Sequence, residues 1–187
     1  MPRRDSTPVR LAKSTLPALA ALLFACAQPA PPPPAPQPAV ESQALGLRVA
    51  SVPPPFSLAA DDGESLRFAV PEADGGGELV VTAGSEETSG INLVDGLKER
   101  EAAFLALADG EFFGQLEIAG PYGPAFTARG AYSEDNGPVE ESWIYSLHPG
   151  ANRLLTVVYR YRRGDAANSK TRVNQLLEFF GEIEPLG

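Results

Sequence analysis

The stretch VEESWIYSLHPGANRLLTVVYRY, residues 139–161, sets the architecture of this chain. In its first half Val139, Trp143, Tyr145 and Leu147 project to one side, with Glu140, Ser142 and Ser146 on the other. His148-Pro149-Gly150 turns the chain back. In the second half Leu155, Val157, Tyr159 and Tyr161 share a face, while Arg160 and Arg162 end the opposite one. A period of two marks half-buried strands, and a turn-length link makes them antiparallel neighbours. The hairpin is therefore expected to be the spine of a sheet, with Glu140, Ser142, Ser146 and His148 solvated. Its aromatic residues read as core, with a stacking surface for sugar or peptide as the alternative.

Working outward, the C-terminal segment carries Val173, Leu176, Leu177 and Phe180 at helical spacing and Gly181 as a stop, which predicts a helix over 165–180. On the N-terminal side, Phe126, Ala128 and Tyr132 predict one strand and Leu116 and Ile118 a short one before it. Asp95 is placed to cap a helix over 95–108, with Leu97, Phe104 and Leu107 inward and Lys98, Glu99 and Arg100 outward. Leu79, Val81 and Ala83 follow a turn at Gly75-Gly76-Gly77, and a hairpin is expected across Asp61-Asp62-Gly63. Glycine and threonine mark residues 84–90 as a loop. Leu45, Leu47 and Val49 form the first strand, ended by Pro53-Pro54-Pro55. Consecutive strands with short links give an α+β domain over 44–187, an antiparallel β-sheet of about seven strands covered on one face by helices.

That order resembles the PsbP-like fold. The resemblance rests on an early strand running into a proline-marked turn (residues 47–56), the hairpin of residues 139–161, and the closing amphipathic stretch NSKTRVNQLLEFFGEIEPL. The fold is shared by extrinsic subunits of photosystem II, Ran-binding Mog proteins and DcrB-type bacterial lipoproteins. It implies an α+β sandwich whose members mostly bind other proteins, and it implies no catalytic residues.

The other legible stretch is LPALAALLFAC, residues 16–26, which ends at the single cysteine. Arg3, Arg4, Arg10 and Lys13 precede it, so residues 1–25 have the charged and apolar regions of a secretory signal. The apolar run is far shorter than the roughly 20 residues a membrane-spanning helix needs. Leu23-Phe24-Ala25-Cys26 resembles the bacterial lipobox, with Phe24 larger than the residue usual there. The resemblance implies that Cys26 is the lipidation site, that cleavage occurs before it, and that a lipid anchor holds the chain to the membrane. An ordinary cleaved signal is the alternative, and one cysteine makes no internal disulfide. Residues 26–43 then form a proline-rich tether, in which a dozen polyproline residues reach about 35–40 Å. Ala27 stands where an aspartate resembles an inner-membrane retention signal, so the expected location is the cell envelope, on the periplasmic face of the outer membrane.

Charge narrows the partners. The full chain carries −9, and removing residues 1–25 takes away four of 15 cations and one of 24 anions, leaving −12. Bulk charge this negative excludes nucleic acid. Six cations, Arg153, Arg160, Arg162, Arg163, Lys170 and Arg172, fall close together in sequence and form a candidate docking patch for an acidic partner, against the alternative of solvated strand and helix faces.

Catalytic chemistry finds little support. His148 is the only histidine, no G-x-S-x-G elbow occurs, and the glycines at 75–77 lack a phosphate-loop lysine. Gly137 as the sixth residue of a calcium loop would put Tyr132 first and Trp143 twelfth, which fails. No catalytic, cofactor or metal residues are assigned. The carboxylates Asp61, Asp62, Glu64, Glu86, Glu87, Glu140 and Glu141 leave a carboxylate-dependent hydrolase as the weakest reading. The leading reading is a non-enzymatic protein-binding or assembly lipoprotein with a protein partner in the envelope. A carrier of lipid or another hydrophobic ligand is its rival.

Overall fold

A computed structural model describes residue 35 and residues 37–84, 93–164 and 166–187. The signal, Cys26, most of the tether, Asp165 and residues 85–92, including Glu86 and Glu87, lie outside the described residues.

Ten strands and two helices follow one another as β1 (Val40–Ser42), β2 (Leu47–Val49), β3 (Ser57–Asp61), β4 (Ser65–Val70), β5 (Gly77–Ala83), α1 (Leu93–Leu105), β6 (Glu111–Gly120), β7 (Gly123–Glu134), β8 (Gly137–Leu147), β9 (Leu154–Arg162), α2 (Ala166–Gly181) and β10 (Ile183–Pro185). Seven strands form one sheet in the order β3-β4-β5-β9-β8-β7-β6, and β1, β2 and β10 form a second, small one. All pairings are antiparallel. The sandwich is thus the α+β class that the patterns predict. Three residues placed in the tether by sequence, Val40–Ser42, form β1, and Gln37 bridges Val52 ahead of it.

The helices do not share a face of the large sheet. Against one face, α2 buries Leu176, Phe179 and Phe180 with Leu66, Phe68, Leu79, Val81, Ile144, Val157, Tyr159 and Tyr161. Against the other, α1 buries Leu97 and Phe104 with Ala128, Tyr132, Val139, Trp143 and Tyr145. Successive strand residues point to opposite faces, so the central strand β8 supplies Trp143 to one core and Ile144 to the next. This corrects two expectations. One face of the sheet was to be open, and α1 covers its β6–β8 part, while Arg67 and Ala69 of β4 stay exposed there. The aromatic residues were to form one row, yet Trp143 and Tyr145 are separated from Tyr159 and Tyr161 by the sheet itself.

Edge-to-face aromatic packing ties each helix down. Phe179 meets Phe56 at 5.3 Å and Phe68 at 4.8 Å between centroids. Phe104 meets Tyr132 at 5.2 Å and Trp143 at 4.9 Å. Phe104 also explains Gly130, since a Cβ there would stand 2.3 Å from the phenyl ring.

Helix α1 begins two residues earlier than expected, which puts Asp95 inside its first turn, where a carboxylate favours the helix dipole. It ends at Leu105, and Leu107 is exposed rather than inward. The cause is the turn that follows: Gly110 donates to the Leu107 carbonyl, and Asp109 takes a left-handed φ of 53°. Strand β6 is longer than the Leu116–Ile118 pattern suggests, because it carries a bulge between Phe112 and Gly114 that shifts its alternation.

His148 is buried, against the expectation of a solvated turn. Its Nδ1 accepts the Gly150 N–H at 3.0 Å, so Nε2 carries the proton and donates to the Leu45 carbonyl at 2.8 Å. The ring staples the β8–β9 turn to the N-terminal segment. Burial holds its pKa below the ordinary 6.5, the Leu45 hydrogen bond opposes this, and the Arg153 charge adds to the lowering. The unfolded chain therefore takes up a proton near pH 6.5 that the folded chain refuses, and stability present above that pH is lost as pH falls through it. The protein is expected to lose more thermal stability than its His148→Gln variant between about pH 7 and pH 5.5. Parallel melting curves across that interval would refute the staple.

Candidate partner-binding groove

Glu140 and Glu141, read from sequence as solvated, are both buried in β8. Being adjacent, they lie on opposite faces of the sheet. Glu141 faces α1, where it accepts hydrogen bonds from Tyr132 Oη at 2.9 Å and Arg100 Nη2 at 2.8 Å. The Arg100 guanidinium in turn lies 5.4 Å from the centroid of Trp143. Burial, then the Glu141 charge and hydrogen bond, push the Tyr132 hydroxyl up to about 12. Glu140 faces α2 and accepts from Tyr161 Oη at 2.8 Å and Ser169 Oγ at 3.0 Å, with Arg129 Nε 3.3 Å away. Burial raises the Tyr161 pKa, so this hydroxyl stays a donor. Each carboxylate is neutralised within its own core, and the two cannot act on one substrate.

Arg129 leads from this network to the surface. Its Nε is buried and contacts Glu140 without hydrogen-bond alignment, yet its side chain is 36% exposed. The exposed share lines an open groove of about 280 Å³ with Phe113, Gly114, Leu116, Thr127 and Val173. The groove exists because α2 crosses β8 and β9, reaches β6 and β7 at their Ile118–Gly120 and Ala125 end, and leaves the same face open around Gly114, Leu116 and Thr127. Leu116 is consequently 64% exposed, the largest exposure among the described large apolar side chains. At one end the guanidiniums of Arg129 and Arg163 lie 5.2 and 5.3 Å from the Phe113 ring centroid. Arg163 also pairs with Glu111 at 3.2 Å. Lys170, exposed, stands one turn before Val173 on the same side of α2.

Of the six cations clustered in sequence, Arg163 reaches this groove through the Phe113 ring, and Lys170 is exposed one turn from Val173 of the lining. Arg160 and Arg162 project to the α1 face, where Arg160 pairs with Glu134 and lies over Tyr132. Arg153 donates to the Leu45 carbonyl beside His148. Arg172 is buried, donating to Tyr159 Oη at 2.7 Å and to the Asp74 carbonyl, and so pins α2 to the turn before β5. Proximity along the chain scattered these residues because strand alternation sends neighbours to opposite faces. Sequence reasoning missed Arg129 and Phe113, and it read the buried Glu140 as solvated. The available signal was Ile144, an apolar residue on the supposedly solvated side of β8.

No family model matches this sequence, and no curated protein matches it. Solved structures do match the fold. The Ran-binding protein Mog1p of Saccharomyces cerevisiae aligns with a TM-score of 0.55 at 13% identity, over 81% of this chain and 96% of that one. A point mutant of Mog1 aligns with a TM-score of 0.54 at 12% identity, over the same shares. The fold is the Mog1/PsbP-like α+β fold. LpqN of Mycobacterium tuberculosis, involved in cell envelope biogenesis, overlaps more loosely, with a TM-score of 0.42 at 14% identity over 82% of this chain and 81% of that one. In the Mog1/PsbP-like frame of this chain, the open strip lies at the β6 edge, beside Val173 of α2.

Proposed function

We propose that this chain is a non-enzymatic protein-binding domain, held at the cell envelope through a lipid on Cys26. The observation that carries the binding role is the uncovered strip of β6 and β7 beside α2, with Leu116 exposed over a basic, aromatic end. An exposed apolar patch rimmed by charge is the ordinary mark of a protein contact. Two further points support it: the interior carboxylates are consumed by structural partners, and the fold is shared with a Ran-binding protein. Residues 16–26 support the anchor, and among the described residues no helix is long and apolar enough to cross a membrane.

Site-specific photo-crosslinking in intact cells tests the reading. A crosslinker at Leu116 is expected to capture one recurrent protein, and one at Leu58, exposed elsewhere, is not. The same chain with Cys26→Ser should leave the membrane fraction and lose that product. Recovery of lipid alone from Leu116 would favour the carrier reading, and equal products from both positions would remove the groove from consideration.

A further inference from the structure

Among the described residues, strand β6 is an edge of the seven-stranded sheet, paired to β7 alone. Past its bulge it keeps unbroken register with β7 from Gly114 opposite Arg129 to Gly120 opposite Gly123, so a straight run of backbone is left open on its outer side. Natural edges are blunted with lysine, proline, extreme shortness, inward charge or a bulge that twists the edge away, and β6 has only the last of these, at its Phe112–Gly114 end. The sequence EFFGQLEIAG has neither lysine nor proline, and its second glutamate, Glu117, pairs with Phe126 and so points to the α1 face. The opposite edge, β3, is half as long and leads into Asp61, Asp62 and Glu64.

The groove side of β6 has a definite charge. Arg129 and Arg163 flank Phe113, paired with the buried Glu140 and the exposed Glu111, and Lys170 is exposed on α2 one turn before Val173 of the lining, so cations outnumber carboxylates by one. Glu140 is already served by two hydroxyl donors, and the Arg163–Glu111 pair is half exposed, an arrangement that surface screening leaves easily shared. In a chain otherwise strongly acidic, this is a cationic end on an apolar groove.

We propose that β6 accepts an extended acidic segment of the partner protein as an added strand. Alternate side chains of that segment enter the groove, where carboxylates meet Arg129, Arg163 and Lys170 and an apolar residue covers Leu116. Main-chain hydrogen bonds supply affinity in such an addition, and the alternate side chains supply specificity. The other side chains of the segment face Glu117 and are neutral or basic. This inference rests on the protein-binding reading and adds the mode and chemistry of the contact.

The test uses the purified full chain and three short fluorescent peptides, read by anisotropy. One alternates glutamate with valine and phenylalanine, one has lysine for each glutamate, and one is the glutamate peptide with alternate backbone amides N-methylated so that it cannot join an edge. Only the first is expected to bind. Leu116→Glu and Arg163→Glu should each weaken it about tenfold or more, the scale of one charge-assisted contact. Arg162→Glu makes the same charge change on the opposite face and should leave binding unchanged. Leu116 is exposed enough that its variant keeps the fold. Equal binding of the lysine or N-methylated peptide overturns the proposal, as does an equal loss in Arg162→Glu. A concentration-dependent dimer abolished by Leu116→Glu, with no peptide bound, would assign the edge to a second copy instead. If the peptides fail while Leu116 still crosslinks to a protein in cells, strand addition falls and the binding reading stands; if both fail, both fall.

Discussion

Replacing Glu140 by alanine is expected to lower the unfolding free energy by about 2–4 kcal/mol, chiefly the cost of taking the acceptor from buried hydroxyl donors, since its ion-pair partner Arg129 is partly exposed. The side chain is 3% exposed and is held by Tyr161, Ser169 and Arg129. Its loss leaves Ser169 without its acceptor, Tyr161 with Ser142 Oγ at 3.2 Å, and Arg129 without its counter-charge, and an unsatisfied buried group costs about 1–3 kcal/mol. The substitution also removes the link between β8 and the first turns of α2, since Ser169 belongs to that helix. Against a total stability of about 5–15 kcal/mol for a domain, the variant would lose a substantial share. Glu140→Gln, which keeps the volume and one acceptor, should lose less, and Glu117→Ala, exposed on β6, should stay within about 0.5 kcal/mol of the parent. Urea unfolding measures all three. If Glu140→Ala proved as mild as Glu117→Ala, the carboxylate would have no structural role.

Phe179→Ala should cost roughly 3–5 kcal/mol by opening a cavity that its neighbours cannot fill. Phe179 is fully buried and bridges Phe56 and Phe68, so it fastens α2 to both the proline-marked turn and β4. The experiment also asks whether the two cores unfold together. Trp143 is the sole tryptophan and sits in the α1 core, on the far side of the sheet from Phe179. Because β8 contributes to both cores, tryptophan fluorescence and far-ultraviolet circular dichroism should shift to the same lower midpoint. A fluorescence transition that stayed at the parental midpoint would show that the α1 face unfolds separately.

Local pattern carried far in this chain. The run of alternating residues at 139–161 was enough for the β8–β9 hairpin, and Asp61-Asp62-Gly63 was enough for the β3–β4 turn, because its determinants are close by. There Asp62 Oδ1 accepts the Glu64 and Ser65 N–H groups, which lower its pKa, so the turn is built from its own residues. The helix ending at Gly181 was legible for the same reason, through four apolar residues at helical spacing. The candidate site was legible only in fragments. Arg163 and Lys170 stood in a conspicuous run of cations, whereas Arg129 and Phe113 looked like ordinary strand residues.

The sequence by itself determined the strands, the helices and the class of sheet, since each depends on spacing within one segment and on the turns that bound it. Only the tertiary structure decided what the polar face of β8 meets. Alternation says that Glu140 and Trp143 point in opposite directions, but it cannot say whether a direction leads to water or to a second helix. Because α1 and α2 pack on opposite faces, both directions lead inward, and the glutamates had to find Tyr132, Arg100, Tyr161, Ser169 and Arg129. The same packing fixed the groove: α2 lies across β8 and β9 and meets β6 only toward its Ile118–Gly120 end, and that leaves Leu116, Phe113 and the exposed part of Arg129 uncovered.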